Sequence, residues 1–324
     1  MTPPPNEESL LGQIAATFRD SRTSSLRLGI GDDAALFAPR QGYETILTCD
    51  WFLEGTHFLR DKHLADAVGW KCLARAASDI AAMGGTPRCF LLSLTLPRSR
   101  SGAWLKGFLS GLLRASKALR CKLAGGDTTC RDDVLINVIV IGEVPKGRAV
   151  LRSGAQPGEI LFVSGRLGEA ALGLRQVLCQ RGMARATNPA LRKHLYPAPR
   201  LALGQWLSEH QLATAMMDLS DGLSTDLPRL CAASGVGARI EATSVPGPAL
   251  DDPNEALKLA LNGGDDYELL FTVSQKNEHR MRQNFRGLAL TRVGEITRQK
   301  RILLVENGRS HALHPGGWDP FRRE

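Results

Sequence analysis

The spacing of apolar residues changes repeatedly along this chain, and each change indicates a different element. Apolar positions three or four apart predict three helices in the first half of the chain, over residues 7–20, 64–83 and 101–120. Gly84 and Gly85 are expected to end the second helix. Short apolar runs predict three strands, over residues 44–49, 88–96 and 134–144. Asp50 is expected to break the first strand, and Pro97 to close the second.

A similar alternation follows a change in composition. Residues 144–158 are rich in glycine, proline and arginine, which is typical of a boundary between domains. Beyond it we expect strands over residues 160–165, 214–217 and 267–273 and helices over residues 168–178 and 199–209. The alternation predicts an α/β fold of helices layered on mixed sheets. A length of 324 residues favours two domains, residues 1–146 and 147–324.

Composition excludes several broad classes of protein. Hydrophobic residues make up 43% of the chain and charged residues 23%, as in ordinary folded soluble proteins. The seven cysteines include no Cys-x-x-Cys pair, which argues for a reducing compartment and against a disulfide scaffold or a zinc site. The N-terminus has no signal-peptide pattern, and no apolar run approaches the roughly 18 residues of a membrane span. We therefore expect a cytoplasmic protein without a membrane partner.

The formal net charge of +8 favours anionic partners, which include nucleic acids and phosphorylated small molecules. The basic residues are scattered, and no zinc-finger, ribonucleoprotein or basic-zipper pattern accompanies them. We therefore expect no nucleic-acid partner. A phosphate-binding loop of the Walker type is also excluded, because the sequence contains neither Gly-Lys-Ser nor Gly-Lys-Thr.

Aspartate instead recurs beside glycine or a hydroxyl residue. The motifs are "GIGDD" at 29–33, "TCD" at 48–50, "ASD" at 77–79, "GGDTT" at 125–129 and "DLSDG" at 218–222. Mg²⁺ prefers oxygen ligands, commonly one or two carboxylates together with water and phosphate oxygens. Aspartates at strand ends and turns can converge on a bound polyphosphate, while glycine amides approach the phosphate directly. Together the motifs predict several Mg²⁺ ions bound around a nucleotide. In such a site the metal ions, rather than a lysine, neutralise the phosphates.

Each motif alone also has a simpler structural interpretation. "GGDTT" can be a glycine turn closed by an Asx hydrogen bond. Asp218 ends an expected strand and Asp221 begins an expected helix, so Ser220 or Asp221 can be a plain helix cap. Asp79 lies in an apolar helical stretch, where Arg75, one turn earlier, can supply an ion pair. Spacing alone leaves these alternatives open.

His57 and Trp318 are two further candidates. His57 has no companion histidine at metal-ligand spacing, so a structural role and a substrate-binding role are both open. Trp318 either offers an aromatic face to a cationic ring or packs against the protein.

Taken in chain order, the motifs resemble those of the thiamine-monophosphate kinases: "GIGDDAAL", "TCDWFLEGTHF", "ASDIAAMGGTP", "GGDTT", "GRAVLRSGAQPGE", "DLSDGLSTDL", "GGDDYELLF" and "GGWDPF". The match runs from about residue 8 to 321. This family is related to aminoimidazole ribonucleotide synthetase, selenophosphate synthetase and a hydrogenase-maturation dehydratase. The resemblance implies an N-terminal α/β domain whose strands pair with those of a second subunit in a shared β-barrel, hence a homodimer. It also implies a C-terminal α/β domain, with ATP and several Mg²⁺ ions between the domains.

The resemblance implies roles for individual residues. As Mg²⁺ ligands it implies Asp33, Thr48, Asp50, Asp79, Asp127, Asp218 and Asp221. As contacts of ATP, the co-substrate, it implies Gly126, Asp127, Arg152 and Ser220, and as contacts of thiamine monophosphate His57, Asp265 and Trp318. Two positions depart from the family pattern, because Cys49 stands where Thr is frequent and Asp265 where Glu is common. Asp32 has no assigned role.

The implied reaction is Mg²⁺-dependent in-line transfer of the ATP γ-phosphate to thiamine monophosphate, giving ADP and thiamine diphosphate in the biosynthesis of the latter. The acceptor is a phosphate monoester that is already anionic near neutral pH, so the reaction needs alignment and charge neutralisation rather than a general base. The resemblance assigns this catalytic work to Asp127, Asp218 and Arg152.

Two other interpretations are open. The nearer one is another ATP-dependent enzyme of the same superfamily. Against it, no cysteine precedes "GIGDD" and none lies at the C-terminus, where selenophosphate synthetase and the hydrogenase-maturation protein respectively carry one. The other is a protein that binds a nucleotide or a nucleic acid without catalysis, which leaves the many candidate carboxylates unexplained.

Overall fold

The computed structural model describes residues 7–18, 24–30 and 34–321 of the chain. The chain forms two compact units. The first comprises residues 1–80, 85–147 and 177–186, and the second comprises residues 81–84, 148–176 and 187–324. The division after Gly147 lies close to the boundary expected from the sequence, whereas the return of residues 177–186 to the first unit was not expected.

The first unit contains a four-stranded mixed sheet. Its elements are, in chain order, α1 (Glu7–Thr17), β1 (Leu26–Leu28), β2 (Leu36–Phe37), β3 (Tyr43–Leu53), α2 (Ala65–Ala82), β4 (Thr86–Leu96), α3 (Ala103–Leu119), β5 (Lys122–Cys130) and β6 (Leu135–Pro145). The sheet has the order β3-β6-β4-β5, with β4 and β5 parallel and the other pairs antiparallel. β1 and β2 form a separate two-stranded ribbon.

The two faces of β3 differ in what covers them. Phe52 is buried, and Thr48 and Asp50 on the same face reach side chains of α2. The alternate residues Leu47 and Trp51 point to the opposite face, where they are 68% and 54% exposed. The first unit therefore presents apolar side chains on the face of β3 that α2 does not cover.

One local expectation for this unit, and one alternative that the sequence left open, are wrong. Asp50 does not break a strand, because β3 continues through it to Leu53 and stays paired with β6 throughout. The Asp50 carboxylate is satisfied by Arg75, so the strand carries it without a buried unpaired charge. "GGDTT" is not a turn but part of β5, where Gly126 passes so close to the Leu92 carbonyl that a Cβ would collide with it.

The second unit is built on an eight-stranded mixed sheet. Its elements are β7 (Ile160–Ser164), α4 (Glu169–Cys179), α5 (Pro189–Leu195), α6 (Leu201–Glu209), β8 (Ala213–Leu219), α7 (Leu223–Ser234), β9 (Gly237–Glu241), α8 (Pro253–Asn262), β10 (Glu268–Val273), β11 (Asn284–Phe285), β12 (Leu288–Thr297), β13 (Ile302–Glu306) and β14 (Arg309–Ala312). The order is β14-β13-β9-β12-β7-β10-β8, with β11 paired to β12. β9 and β13 are parallel, and the other pairs are antiparallel.

The central strands of this sheet are buried on both faces. One core cluster joins Val163 of β7 to Leu227 of α7, and another joins Phe162 of β7 to Leu207 of α6. Strands covered on both sides are apolar throughout rather than alternating, which is the pattern that predicted β7 and β10. The expected α/β architecture with mixed sheets is thus confirmed. Within the described ranges, no helix is long and apolar enough to cross a membrane.

Candidate active site

In the first unit, two candidate carboxylates lie between β3 and α2. Thr48 Oγ1 on β3 donates a short hydrogen bond to Asp79 Oδ2 on α2. Asp50, two residues along β3, accepts from Arg75 Nε at 2.7 Å and from Arg75 Nη2 at 3.0 Å. Arg75, which the sequence offered as a partner for Asp79, therefore forms a bidentate pair with Asp50. The structure brings Thr48, Asp50 and Asp79 together on one face of the sheet.

Gly126 and Asp127 lie on β5, at the other edge of the same sheet. The register joins Asp50 to Val138, Val138 to Leu92, and Leu92 to Gly126. Neighbouring strands are about 4.8 Å apart, so roughly 14 Å separates the backbones of Asp50 and Gly126. Asp127 is exposed. Within one copy of the chain, β5 therefore stands apart from the group on β3 and α2.

His57 lies in the turn that follows β3. Its Nδ1 accepts the Leu53 amide hydrogen at 3.0 Å, and its own amide donates to the Leu53 carbonyl at 2.8 Å. The ring also lies 5.7 Å from that of Phe52. Because Nδ1 is used as an acceptor, the neutral ring carries its proton on Nε2, which becomes its donor. The histidine holds its own turn, and both of the interpretations taken from the sequence, a structural and a substrate-binding role, stay predictions.

In the second unit, the loop between β8 and α7 carries three candidates. Asp218 is buried near the end of β8, and Ser220 and Asp221 follow it. The N-cap of α7 is Gly222, with φ of 104° and no side-chain cap, so the interpretation of Ser220 or Asp221 as a plain cap is wrong. The buried carboxylate of Asp226 instead reaches back and accepts the Ser220 amide at 3.1 Å and the Asp221 amide at 2.9 Å.

Asp226 is a residue that the sequence reasoning missed. Burial raises its pKa to about 6, although the Asp221 amide and Arg229 partly offset this. Arg229 Nη1 lies 2.5 Å from Asp221 Oδ2 and 2.8 Å from Asp226 Oδ1. An acid three residues into a helix and an arginine three residues later were the available signal. The Asp221 carboxylate is thus held by an arginine, as Asp50 is in the first unit.

A second loop brings Asp265 to the same place. Its amide donates to the Ser220 carbonyl at 2.7 Å, and the Tyr267 amide donates to the Leu219 carbonyl at 2.9 Å. The Tyr267 hydroxyl donates to Asp265 Oδ1 at 2.7 Å, and His194 Nδ1 lies 3.9 Å from Asp265 Oδ2. Both Asp265 and Tyr267 have positive φ, 69° and 51°. Such strain in residues other than glycine is typical of functional loops.

Trp318 joins this group through its backbone. Its amide donates to the Asp221 carbonyl at 2.9 Å, and its side chain is 48% exposed. The second unit thus brings together Ser220, Asp221, Asp265 and Trp318, with Asp218 just upstream on β8. The exposed indole is available to a ligand rather than committed to the core.

Arg152 is not part of that group by direct contact. Its carbonyl accepts from Ser234 Oγ at 3.0 Å, and the neighbouring Leu151 carbonyl accepts the Met216 amide of β8 at 2.8 Å. The side chain is exposed, and no hydrogen bond or ion pair joins its guanidinium to any part of the chain that the structure describes. Asp33 and Asp32 lie outside the described residues.

Comparisons with known proteins show the family of this chain. Residues 31–144 match the family model for the AIR synthase related protein N-terminal domain, and residues 156–305 match that for its C-terminal domain. Thiamine-monophosphate kinase of Escherichia coli (strain K12) is 37% identical, over 97% of this chain and 98% of that protein. The enzyme of the same name from Bacillus subtilis (strain 168) is 35% identical, over 94% and 97%. The chain belongs to the thiamine-monophosphate kinase family.

Solved structures agree with membership of the thiamine-monophosphate kinase family. The enzyme from Stenotrophomonas maltophilia K279a has a TM-score of 0.82 at 34% identity, covering 93% of this chain and 96% of that one. The complex of AaThiL with AMPPCP and TMP has a TM-score of 0.75 at 30% identity, covering 97% of each chain. The E. coli hydrogenase maturation protein HypE, at 19% identity and a TM-score of 0.76, shares the fold.

This member of the thiamine-monophosphate kinase family also contains a buried charge network that the sequence reasoning missed. Asp266 and Glu268, which flank Tyr267, are buried and pair with Lys193 and Arg200, which are partly buried. Lys193 Nζ lies 2.8 Å from Glu268 and 3.7 Å from Asp266. The available signal was that two acids, Asp266 and Glu268, come just before the apolar run "LLFTV", since buried carboxylates require cationic partners. The network supports the strained loop that carries Asp265.

The donor chemistry of both groups fits the Mg²⁺ expected of a thiamine-monophosphate kinase. Carboxylates and a hydroxyl are hard oxygen donors, which is the ligand chemistry that Mg²⁺ prefers. Within residues 7–18, 24–30 and 34–321, no three His, Cys, Asp or Glu side chains lie close enough together to hold a metal ion. The Mg²⁺ ligands named from the sequence therefore stay a prediction.

Proposed function

We propose that this chain is a thiamine-monophosphate kinase, which transfers the γ-phosphate of ATP to thiamine monophosphate and yields ADP and thiamine diphosphate. The observation that carries the proposal is identity of 35% and 37% over nearly the whole chain to enzymes of that name. The complex of AaThiL with AMPPCP and TMP, at 30% identity, supports the same pair of ligands. AMPPCP is an ATP analogue whose β and γ phosphates are joined through carbon.

The reaction requires the protein mainly to align the two phosphates and to neutralise their charge. The acceptor phosphate is mostly ionised at neutral pH and is itself the nucleophile, so no side chain has to remove a proton. Two anionic phosphates must nevertheless be brought into line, which the fold can achieve with fixed donors and cations. Bound Mg²⁺ would supply the main neutralising charge. Thr48, Asp50, Asp79, Asp127, Asp218 and Asp221, with Asp33, are the residues proposed to hold it.

Other residues are proposed to bind the two substrates. The Gly126 backbone, Ser220 and the exposed guanidinium of Arg152 would contact the ATP phosphates, where an arginine forms strong charge-assisted hydrogen bonds. The Asp265 carboxylate and the exposed Trp318 indole would receive the cationic thiamine portion, a cation–π contact worth ~0.5 to 2 kcal/mol.

We further propose that two copies of the chain assemble through the sheet of the first unit. β3 and β5 are its edge strands, 11 and 9 residues long, and long free edges invite pairing with another chain. Leu47 and Trp51 also expose apolar surface on the face away from α2. Pairing β3 of one copy with β5 of the other closes an eight-stranded barrel. It also brings Asp127 close to the partner's β3, which accounts for the separation within one copy.

The assembly can be tested by light scattering in solution. The wild-type protein should have twice the mass of the chain, and Leu47→Asp should have the mass of one chain. Leu174→Asp is the matched control, since Leu174 is a 37% exposed leucine of the second-unit helix α4. A wild-type monomer, or a Leu47→Asp dimer, contradicts the proposed interface.

The function itself is tested by ADP release with different acceptors. The purified protein with Mg²⁺ and ATP should release ADP with thiamine monophosphate, and far less with thiamine, selenide or aminoimidazole precursors. Mass spectrometry should find thiamine diphosphate in equal amount to the ADP. Turnover with selenide or an aminoimidazole precursor would favour another enzyme of the superfamily, and ATP binding without turnover on any acceptor would favour a binding protein.

A further inference from the structure

A short strap, residues 315–319, lies across the start of α7. The Gly316 amide donates to Ser224 Oγ at 3.1 Å, and the Gly317 amide donates to Thr225 Oγ1 at 3.1 Å. The next amide, that of Trp318, donates to the Asp221 carbonyl at 2.9 Å. Three consecutive amides of the strap are thus held by the loop and first turn that also carry Ser220 and Asp221.

The fit between strap and helix is close enough to require glycine. A Cβ on Gly317 would collide with the Asp221 carbonyl and lie 2.7 Å from Thr225 Oγ1. A Cβ on Gly316 would lie 2.5 Å from Asn262 Oδ1. Asn262 in turn accepts from Ser224 Oγ at 2.7 Å, which fixes the hydroxyl that receives the Gly316 amide. The contact is therefore tight, and Asn262 preorganises the hydroxyl on the α7 side of it.

Burial contributes little to holding the strap. Gly316, Trp318 and Asp319 are exposed, and Gly317 is half-buried. With little apolar surface removed from water, the position of the strap depends on its hydrogen bonds. Each neutral hydrogen bond contributes only about 1 kcal/mol. Because few such bonds hold the strap, the loss of one is expected to shift it measurably. Ser224 and Thr225 are buried and fixed in α7, which makes them the rigid side of the contact.

We propose that Ser224 and Thr225 are positioning residues for thiamine monophosphate, because their hydroxyls hold the strap and thereby set the place of Trp318 beside Asp221. The inference rests on the proposed function, in which Trp318 contacts this substrate. Neither hydroxyl touches the substrate, and both act through the strap. The first turn of α7 thus connects the strap that carries Trp318 to the loop that carries Ser220 and Asp221.

The test compares Thr225→Val with Thr225→Ser. Valine has nearly the shape of threonine but lacks the hydroxyl, whereas serine retains it. Hydrogen exchange of the amides of residues 316–318 should be faster in Thr225→Val than in wild type, and close to wild type in Thr225→Ser. The KM for thiamine monophosphate should rise about fivefold in Thr225→Val, the size of one hydrogen bond, with the KM for ATP within twofold of wild type. Gly317→Ala should show the same pattern more strongly.

A binding readout keeps the inference separate from the activity. The Trp318 contribution to fluorescence is taken as the difference between each protein and its Trp318→Phe counterpart, since the chain has five tryptophans. Thiamine monophosphate should change that contribution, with weaker affinity in Thr225→Val. Absence of turnover in wild type would overturn the proposed function, while the affinity change alone would still support the positioning role.

Three results would overturn the inference. Unchanged exchange in Thr225→Val would mean that its hydroxyl does not hold the strap. Faster exchange with unchanged affinity and KM for thiamine monophosphate would mean that the strap does not position Trp318 for this substrate. An equal rise in the KM values of both substrates would indicate general loosening of α7.

Discussion

Each unit holds a buried glutamate on a strand of its sheet, and the two are bound in similar ways. Glu143 on β6 accepts from Ser25 Oγ at 3.0 Å, from Arg40 Nε at 2.8 Å and from Arg88 Nε at 2.8 Å. Glu268 on β10 accepts from Ser164 Oγ at 2.5 Å and pairs with Lys193 and Arg200. In both units, one carboxylate accepts a hydrogen bond from a serine hydroxyl and pairs with two cations from distant parts of the chain.

The two glutamates differ in the surroundings of their cations. Arg40 and Arg88 have side chains that are 38% and 23% exposed. Water can therefore replace part of the hydrogen bonding that the Glu143 carboxylate supplies to them. Of the cations beside Glu268, Lys193 is only 10% exposed and shares its charge with Asp266, whereas Arg200, at 23%, is as exposed as Arg88. Glu143 ties a surface segment to the sheet, whereas Glu268 balances charge inside the core. The same contacts are therefore expected to have different energetic weight.

The pKa values of both glutamates follow from this. Burial alone would raise each pKa, but hydrogen bonds and the nearby cations outweigh it and hold both below the usual range. A lowered pKa means that each ion pair contributes stability above the unfolded pKa and loses it as pH falls.

The largest effect is expected for Glu268→Gln. The substitution keeps the shape but removes the charge, which leaves Lys193, 10% exposed, and Arg200, 23% exposed, without their main partner. Breaking a buried pair from one side costs ~3 to 5 kcal/mol in the free energy of unfolding. Urea unfolding monitored by circular dichroism measures the change. Glu255→Gln is the control, because Glu255 pairs with Arg175 at the surface and should cost under ~1 kcal/mol. Similar losses in both variants would contradict the role given to Glu268.

The next effect concerns a candidate Mg²⁺ ligand from each unit. Asp127→Asn and Asp218→Asn should each lower kcat at saturating Mg²⁺ by at least about two orders of magnitude, or ~2.7 kcal/mol in the barrier. The amide keeps the size of the side chain but loses the charge that holds a cation. Steady-state ADP release is the measurement.

Asp132→Asn, at an exposed position near the end of β5, is the matched control and should turn over normally. A loss in only one of the two ligand variants would confine the chemistry to one unit. Near-normal turnover in both ligand variants would contradict the proposal that Asp127 and Asp218 bind Mg²⁺.

The elements of the fold were largely predictable, because they follow local apolar periodicity. α2, α3 and β6 were expected within a few residues of where they lie. The prediction that the strand breaks at Asp50 was wrong. Apolar periodicity does not reveal that Arg75, on the following helix α2, pairs with the Asp50 carboxylate. The turn that "GGDTT" left open as an alternative is wrong because Gly126 packs closely against Leu92, which is a tertiary contact.

Motifs could name candidate residues, whose roles stay predictions, but not how the candidates are arranged. Ser220, Asp221, Asp265 and Trp318 were named from motifs, and the structure joins them through backbone hydrogen bonds that motifs do not encode. Asp226 was missed because its partners are amides of the loop before it.

The pH dependence of stability should change in Asp266→Asn. Burial raises the pKa of Asp266 to about 6, against the partial offset from Lys193 and the amides of Gly168 and Ala170. Because the folded pKa is raised, its contribution to stability is present below the unfolded value near 3.8 and is lost as pH rises through about 6. Asparagine is neutral throughout. The variant should therefore gain ~2 kcal/mol relative to wild type between pH 4 and pH 7, at about 1.4 kcal/mol per pKa unit.

Urea midpoints at several pH values measure this gain. Asp251→Asn, at an exposed aspartate, should follow wild type at every pH. A constant difference between Asp266→Asn and wild type from pH 4 to pH 7 would contradict the raised pKa.

The smallest effect is expected for Glu143→Gln, and it decides whether the two glutamates really differ. The glutamine still accepts one hydrogen bond from Ser25 or the Arg40 amide, while Arg40 and Arg88, 38% and 23% exposed, turn to water. The cost should be ~1 to 2 kcal/mol, near that of a charge-assisted hydrogen bond lost at an accessible site. Urea unfolding on the same scale as for Glu268→Gln gives the comparison. A loss as large as that of Glu268→Gln would mean that burial of the carboxylate alone, and not of its cations, sets the energetic weight of each network.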